Sequence, residues 1–521
     1  MRLVASNAPE YPLRRSFKDH SLPRLTVLRL LAALAIPATS LYARAALPSP
    51  VQDPFDSVRA YVRRMMEERA IPSVAIAAAK GGRILWEEGF GWANKARQIK
   101  ATAATMYSLA SISKPITATG LMVLVERGKI GLDRPAEQYL KGARLTAREG
   151  RSADATVRLV ANHTAGLPLH YQFFYSGALP ARPSMNETIR RYGILVAPPG
   201  AQFTYSNLGF GIIDQIVERT SGLPFETFMR REVFQPLGLP RTAIVTAPIA
   251  GDTVAERYDG SGAPITWYDF DHRGASAVYS SAHDLARFGM FHLGDRLDGR
   301  AVLSPASLAE MHRPTVHRSE TVGYGVGWQT FEDDNGAVSL GHSGGMPGVA
   351  TILRIYPEAD AVVVVLLNAG ANDVAGRIAA RVAAAMLPPQ FGETLRQREG
   401  RGPDPAPDSF RPNGELVGEW NGTVRTWNGT VPLKLIIDAE GAARATLGDR
   451  PSAPVGGLRW QGGRLTGNLT GRLSTPDASR DTTAVFDVRL HESRLSGSVS
   501  STLPNAHALS SYVMLVRRPA P

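Results

Sequence analysis

Residues 106–135 read MYSLASISKPITATGLMVLVERGKIGLDRP. Within them, Ser111-Ile112-Ser113-Lys114 is an S-x-x-K tetrad at the head of a predicted helix, Ser113 to Arg127, whose Leu121, Met122 and Leu124 are candidate core residues. Residues three apart on a helix share a face, so the amine of Lys114 can reach the hydroxyl of Ser111. A serine hydroxyl is a poor nucleophile until a base accepts its proton. A lysine serves if its own proton is lost or relayed. A single S-x-x-K arises readily by chance in 521 residues; read alone, it is a helix-capping serine followed by an exposed lysine.

Two further groupings lie downstream. Tyr205-Ser206-Asn207 opens a second predicted helix that ends at Gly222. A tyrosine near Lys114 passes a proton from Ser111 to a leaving group, and Asn207 donates to a substrate carbonyl; the plainer reading is a helix cap. His342-Ser343-Gly344, followed by Gly345, is an H-x-G in a run of small residues. Small residues on a polar strand edge let a substrate backbone lie alongside, and a backbone N–H there, with that of Ser111, makes an oxyanion hole. The plainer reading is a glycine-rich strand end with a surface histidine.

Around these motifs the elements alternate. Asp53-Pro54 reads as a cap and first helical residue, followed by Phe55, Val58, Val62, Met65 and Met66 on one helical face. Ser73 to Ala79 and Arg83 to Gly89 read as a hairpin turning at Gly81-Gly82. Val322 to Phe331, Ala350 to Tyr356 and Ala361 to Leu367 read as strands, and Asp373 to Leu387 as an alanine-rich helix capped by Asp373. The simplest packing is an α+β fold, with both ends of this region in one antiparallel sheet flanked by helices. Residues 396–413 (RQREGRGPDPAPDSFRPN) are proline-rich and aromatic-poor, as a linker is. From Gly414 to Pro521, short alternating segments broken by Gly, Pro and Asn predict a small all-β domain, a barrel or lipocalin-like sheet. Trp420-Asn421-Gly422 and Trp427-Asn428-Gly429 supply Asn-Gly turn signals there.

Composition narrows the function. The chain is 44% hydrophobic and 20% charged, a globular balance. It has no Cys, which excludes thiol nucleophiles, iron–sulfur clusters and Cys-ligated zinc. The net charge of +11 is uneven: residues 1–45 carry +5 and the other 476 carry +6, without the basic runs that track a phosphate backbone, so no nucleic-acid partner is expected. Leu30 to Ile36 is a short apolar run after Arg24 and Arg29 and before Ala43-Arg44-Ala45, the layout of a secretory signal over residues 1–45. Arg14-Arg15-Ser16-Phe17-Lys18 resembles a twin-arginine export signal. The expected location is the periplasm or outside the cell, with membrane contact only through an uncleaved signal.

The three motifs, in this order and spacing, resemble the serine β-lactamase-like superfamily of class C β-lactamases, DD-carboxypeptidases and family VIII esterases. ANHTAGLP (161–168), PGAQFTYSNLGFGIIDQIVERTSG (199–222), SSAHDLARF (280–288), YGVGW (324–328) and GVATILRIYPEADAVVVVLLN (348–368) extend the likeness over about Asp53 to Leu387. The resemblance implies a sheet flanked by helices plus a helical subdomain, with a hydrolase domain over residues 46–395. It implies Ser111 as acylated nucleophile, Lys114 as its activator and Tyr205 as general acid/base. Asn207, His342, Ser343, Gly344 and Gly345 then bind substrate, with the N–H groups of Ser111 and Gly345 as oxyanion donors. His163 belongs to a family motif and reads as structural. His342 stands where K-T-G β-lactamases have Lys, and a histidine is neutral above about pH 6.5. That departure favours an ester, amide or D-amino-acid peptide over efficient β-lactam turnover, with a class C-like β-lactamase or a penicillin-trapping sensor as alternatives. No cofactor or metal is implied, the substrate is a small molecule or peptide, and the oligomeric state is open.

Gly341-His342-Ser343-Gly344-Gly345 also matches G-x-S-x-G, the nucleophile elbow of α/β-hydrolases. That motif needs a helix directly after it. Met346-Pro347-Gly348 and a strand-like run follow instead.

Overall fold

The computed structural model describes residues 53–518 apart from 178–180, 250, 296–301, 334–335, 389–409, 413, 427–428, 472–481 and 503–507. The signal reading at 1–45 and most of the linker reading at 396–413 lie outside the described residues. No described helix is long and apolar enough to cross a membrane.

A nine-stranded antiparallel sheet organises the first part of the chain. Its strands are β1 (Ser73–Lys80), β2 (Arg83–Asn94), β3 (Ile99–Lys100), β4 (Val316–Ser319), β5 (Val322–Tyr324), β6 (Gln329–Glu332), β7 (Val338–Met346), β8 (Val349–Tyr356) and β9 (Ala361–Leu367). Their spatial order is β4-β5-β6-β7-β8-β9-β1-β2-β3. The expected union of the two ends is therefore present, with Val74 opposite Leu367 and Lys80 opposite Ala361. Gly81 and Gly82 turn the β1–β2 hairpin with φ of 60° and 69°, the left-handed values that favour glycine.

Both faces of the sheet are covered, which explains why β9 is apolar at every position. Val362, Val364 and Leu366 join the core beneath α2 (Ser113–Glu126), α3 (Asn207–Ser221) and α4 (Ala282–His292). Val363, Val365 and Leu367 join the core beneath α1 (Asp56–Glu68) and α5 (Asn372–Met386). The period of two in a strand assigns alternate residues to opposite layers, so a strand covered on both sides loses its polar positions.

Three local readings are corrected. Val322 to Phe331 is two strands rather than one, because the chain reverses at Gly325-Val326-Gly327, where Gly327 has φ of 79°. That reversal inserts Trp328, fully buried, into the core. Asp373 does not cap α5, which starts at Asn372; it sits in the first turn and pairs with Arg69 at 2.9 Å and Arg377 at 2.8 Å. Asn421-Gly422 is no turn; Gly422 lies mid-strand, between Leu433 and Leu515.

The C-terminal part is an all-β, barrel-like domain. It comprises β10 (Gly418–Thr426), β11 (Gly429–Ile437), β12 (Ala443–Leu447), β13 (Ala453–Pro454), β14 (Gly456–Gln461), β15 (Arg464–Gly471), β16 (Thr482–His491), β17 (Arg494–Thr502) and β18 (Ala508–Arg517). The first and last strands pair, Trp420 opposite Arg517. The opposite side closes where the Leu447 side chain of β12 packs on Gly471 of β15. Leu433, Leu435, Phe486, Val488, Val513 and Leu515 fill the interior. Trp420 lies among them, its indole N–H donating to the Leu416 carbonyl at 2.8 Å. It is a core residue.

One glycine couples the sheet to the tetrad. A Cβ on Gly344 of β7 would stand 2.1 Å from the Leu109 carbonyl and 2.3 Å from Thr351 Oγ1. Only a residue without a side chain lets β7 touch the turn that carries Ser111. Gly344→Ala is expected to cost about 1–3 kcal/mol of stability by overpacking and to lower turnover. Thermal unfolding and ester assays check this; an unaltered melting temperature would remove the constraint.

Candidate active site

Ser111 stands in a short 3-10 turn, Ala110–Ile112, that runs directly into α2. Ala110 has φ of 48°, a left-handed conformation that costs a non-glycine residue about 1–2 kcal/mol. The surroundings hold it there. Leu109 N–H donates to the Val278 carbonyl at 2.9 Å, and Thr351 Oγ1 donates to the Leu109 carbonyl at 2.9 Å. Ser113 Oγ accepts from Val278 N–H at 3.0 Å.

Lys114 is fully buried one turn along. Its Nζ lies 3.1 Å from Ser111 Oγ, 2.8 Å from Asn207 Oδ1 and 3.3 Å from the Ala275 carbonyl. Burial, with no carboxylate paired to it among the described residues, drives its pKa well below the ordinary lysine value. Two of the three neighbours can only accept. A neutral amine has two N–H groups, which satisfy those two, and its lone pair is left for the Ser111 hydroxyl. The tetrad spacing thus becomes a direct contact between the Lys114 amine and the Ser111 hydroxyl.

Tyr205 and Asn207 arrive from the start of α3. Ser206 is its cap, its Oγ accepting from Gly209 N–H at 3.0 Å and donating to the Pro168 carbonyl at 2.6 Å. The capping reading of Tyr-Ser-Asn therefore describes Ser206, while its neighbours face the tetrad. Lys114 Nζ lies 4.7 Å from the centre of the Tyr205 ring. Burial raises the Tyr205 phenol above its usual range, and its interaction with Ser111 offsets only part of that rise, so the group is protonated at neutral pH. Asn207 is buried with its amide engaged at both ends: Oδ1 holds Lys114, and Nδ2 donates to the His170 carbonyl at 3.0 Å.

His342 and its neighbours lie on β7. That strand pairs with β8 throughout, from Leu340 opposite Ile355 to Met346 opposite Val349, but with β6 only as far as Gly341. Residues 342–346 therefore present one edge not taken by β6, with Ser343 and Gly345 exposed and Gly344 buried. Tyr171 Oη donates to the Gly345 carbonyl at 3.1 Å. His342 itself is only 4% exposed. Burial and the nearby Lys114 push its pKa down to about 3, so the ring is neutral.

Both ring nitrogens of His342 are occupied, through a chain that sequence reading did not reveal. Ser206 N–H donates to His163 Nδ1 at 3.1 Å, so the His163 proton is on Nε2. His163 Nε2 lies 3.1 Å from Tyr324 Oη, which lies 3.2 Å from His342 Nε2. His342 Nδ1 lies 2.6 Å from the Ser343 carbonyl, which can only accept. A backbone N–H at one end and a carbonyl at the other orient every proton in one direction: His163 donates to Tyr324, Tyr324 to His342 and His342 to Ser343. The chain ties the Tyr205 segment to β7. The structural role expected of His163 takes the form of a link in this chain. Tyr324 was visible only as the first residue of YGVGW.

One further cluster combines metal-ligating types: His170, Asp271 and His272, all buried. Asp271 accepts from His170 Nε2 at 2.9 and 3.0 Å, from His272 Nδ1 at 2.8 Å and from Thr188 Oγ1 at 2.9 Å. These spacings are those of hydrogen bonds, whereas two ligands about 2.0–2.1 Å from one tetrahedral zinc stand farther apart. The cluster joins the two loops whose carbonyls, at His170 and Ala275, hold Asn207 and Lys114.

Residues 58–386 match the family described as Beta-lactamase. Penicillin-binding protein 4* of Bacillus subtilis is 26% identical over 315 residues, covering 56% of this chain and 67% of its own length. Penicillin-binding protein 4 of Amycolatopsis lactamdurans is 26% identical over 368 residues, covering 67% and 93%. The octameric penicillin-binding protein homologue from Pyrococcus abyssi superimposes with a TM-score of 0.54 at 22% identity, over 88% of this chain and 99% of that one, a likeness of fold. With the family matched over more than half its length, the chain belongs to the Beta-lactamase family of serine hydrolases.

Proposed function

We propose that the protein is an exported serine hydrolase that cleaves an ester, amide or D-amino-acid peptide bond through an acyl-enzyme on Ser111. The observation that carries this reading is the contact between Ser111 Oγ and the buried amine of Lys114, whose pKa burial depresses. Lys114 accepts the proton as Ser111 Oγ bonds to the substrate carbonyl carbon. The N–H groups of Ser111 and Gly345 stabilise the resulting oxyanion. Tyr205, entering as a phenol, protonates the leaving group as its bond breaks, and is reprotonated from Lys114. Water then attacks the acyl-enzyme by the same route in reverse, releasing the acid and restoring Ser111. Export rests on the Leu30 to Ile36 run and its flanking residues.

The neutral, doubly occupied His342 bears on the substrate. It offers no cation to a β-lactam carboxylate, which supports the peptidase and esterase reading over efficient β-lactamase action. Relatives named as penicillin-binding proteins support a second reading, in which penicillin acylates Ser111 and stays.

An intact-mass time course with benzylpenicillin, beside turnover of short acyl esters and D-amino-acid amides, separates these readings. Ser111→Ala is expected to lose adduct and turnover together, the latter on the order of 10³-fold or more, while keeping its fold by circular dichroism. Full activity in that variant would end the assignment. A lasting adduct supports penicillin binding, and one that clears with product supports β-lactamase action.

The pH profile has a defined shape. Because the pKa of Lys114 is depressed, kcat/KM falls on the acid side as the amine takes up its proton, well below the ordinary lysine range. Because that of Tyr205 is raised, the alkaline limb lies above the ordinary tyrosine value. Lys114→Arg, always protonated, is expected to be inactive across the whole range. An acid limb in the ordinary lysine range would contradict the neutral amine.

Tyr324→Phe removes the middle of the His163–His342 chain and strands two buried ring nitrogens. About 1–3 kcal/mol of stability is the expected loss, read by denaturant unfolding, with kcat falling more than KM rises. An unaltered unfolding midpoint would show that the chain does not hold β7.

A further inference from the structure

A cavity of about 860 Å³ lies between the barrel and the hydrolase part, with Tyr205 on one wall. Its size is that of a small-molecule or short-peptide site. The far wall is the outer face of β15 to β17, which supplies Arg464, Asp487 and Arg489. The near wall includes Gln202 and, from the edge strand β4, Arg318.

The charges in this cavity do not cancel. Arg464 and Asp487 form an ion pair, Nε to Oδ1 at 3.0 Å. Arg489 donates to Gln202 Oε1, a neutral acceptor. The Arg318 guanidinium lies 5.4 Å from the centre of the Phe203 ring. Neither Arg318 nor Arg489 has a carboxylate partner among the described residues. Two guanidinium groups thus face one cleft with their charge unmatched, one from each part of the chain. The positive field of Arg318 reaches the catalytic cluster, acting on Tyr205, His163, Tyr324 and His342. β7, by contrast, supplies no cation, because His342 is neutral and enclosed.

We propose that the cleft between barrel and hydrolase is a substrate subsite for a carboxylate, bound by Arg318 and Arg489, so that preferred substrates carry a free carboxylate on the portion running past Tyr205. The planar fork of a guanidinium matches a carboxylate with two parallel hydrogen bonds. The barrel completes this subsite by supplying Arg489. The proposal rests on Ser111 being the nucleophile.

Matched esters test it with the full chain. One pair varies the acyl side, p-nitrophenyl hydrogen glutarate against p-nitrophenyl butyrate. The other varies the leaving group, the acetate ester of 3-hydroxybenzoate against that of 3-hydroxybenzamide. In at least one pair, the wild type is expected to favour the carboxylate ester. In the Arg318→Gln/Arg489→Gln double variant, the carboxylate-to-neutral ratio of kcat/KM is expected to fall tenfold or more; raising NaCl to about 1 M should reproduce part of that fall by screening. Arg318→Gln alone, on an exposed edge strand, keeps the test open if the double variant does not fold. Ratios that stay level in both pairs, or that match between wild type and variants, overturn the subsite. Hydrolysis of all four esters by Ser111→Ala at the wild-type rate overturns the nucleophile instead, so the two failures are distinguishable.

Discussion

A lysine amine sealed from water beside a serine hydroxyl is the constraint on which this structure turns. An amine in water keeps its proton far above neutrality and is useless as a base there. Lys114 is totally buried with no carboxylate partner among the described residues, and that burial holds its pKa well below the ordinary lysine value. Its neighbours suit the neutral form of the amine, in which the Asn207 amide oxygen and the Ala275 carbonyl take the two N–H groups and leave the lone pair for Ser111. Three separate segments must converge for this, which is why the surrounding loops are so heavily hydrogen-bonded.

The supports can be followed outward. Asn207 is held by the His170 carbonyl, and Ala275 lies just past Asp271 and His272; the hydrogen bonds from His170 and His272 to Asp271 join those two loops. On the other side, the chain from Ser206 through His163, Tyr324 and His342 to Ser343 ties the Tyr205 segment to β7. Ala110 is kept in a strained backbone conformation next to Ser111, between Val278 and Thr351. For the proposed reaction that rigidity serves the chemistry, since a proton relay tolerates little misplacement of its atoms.

The barrel has its own packed core, and its outer face contributes to the cleft. Contacts of Arg489 with Gln202, just before Tyr205, and of Tyr512 with Glu149 at 3.3 Å set it against the hydrolase part. Its sequence shows no catalytic grouping because its interior residues are spent on a hydrophobic core. What reaches the cleft is the alternate, outward set of side chains on β15 to β17.

Much of this was legible in one dimension. Ser111 and Lys114 are three residues apart, and helical geometry alone brings them together. The period of two over Ala361 to Leu367, unbroken by a polar residue, marks a strand covered on both faces. Positions that depend on distant partners were not legible. Asp373 reads as a cap until Arg69 is seen across from it, and Val322 to Phe331 reads as one strand until Trp328 is seen turned into the core. His342 reads as a surface histidine or a substrate ligand, and only its buried contacts with Tyr324 and Ser343 show a neutral ring facing inward. Local spacing is enough to show most of the principal elements, the tetrad and the motifs that carry the family resemblance. Only the folded chain shows the burial that depresses the pKa of Lys114, the order of hydrogen bonds along the histidine chain and the placing of Arg318 and Arg489 on the walls of one cleft. Burial and through-space electrostatics depend on residues hundreds of positions apart.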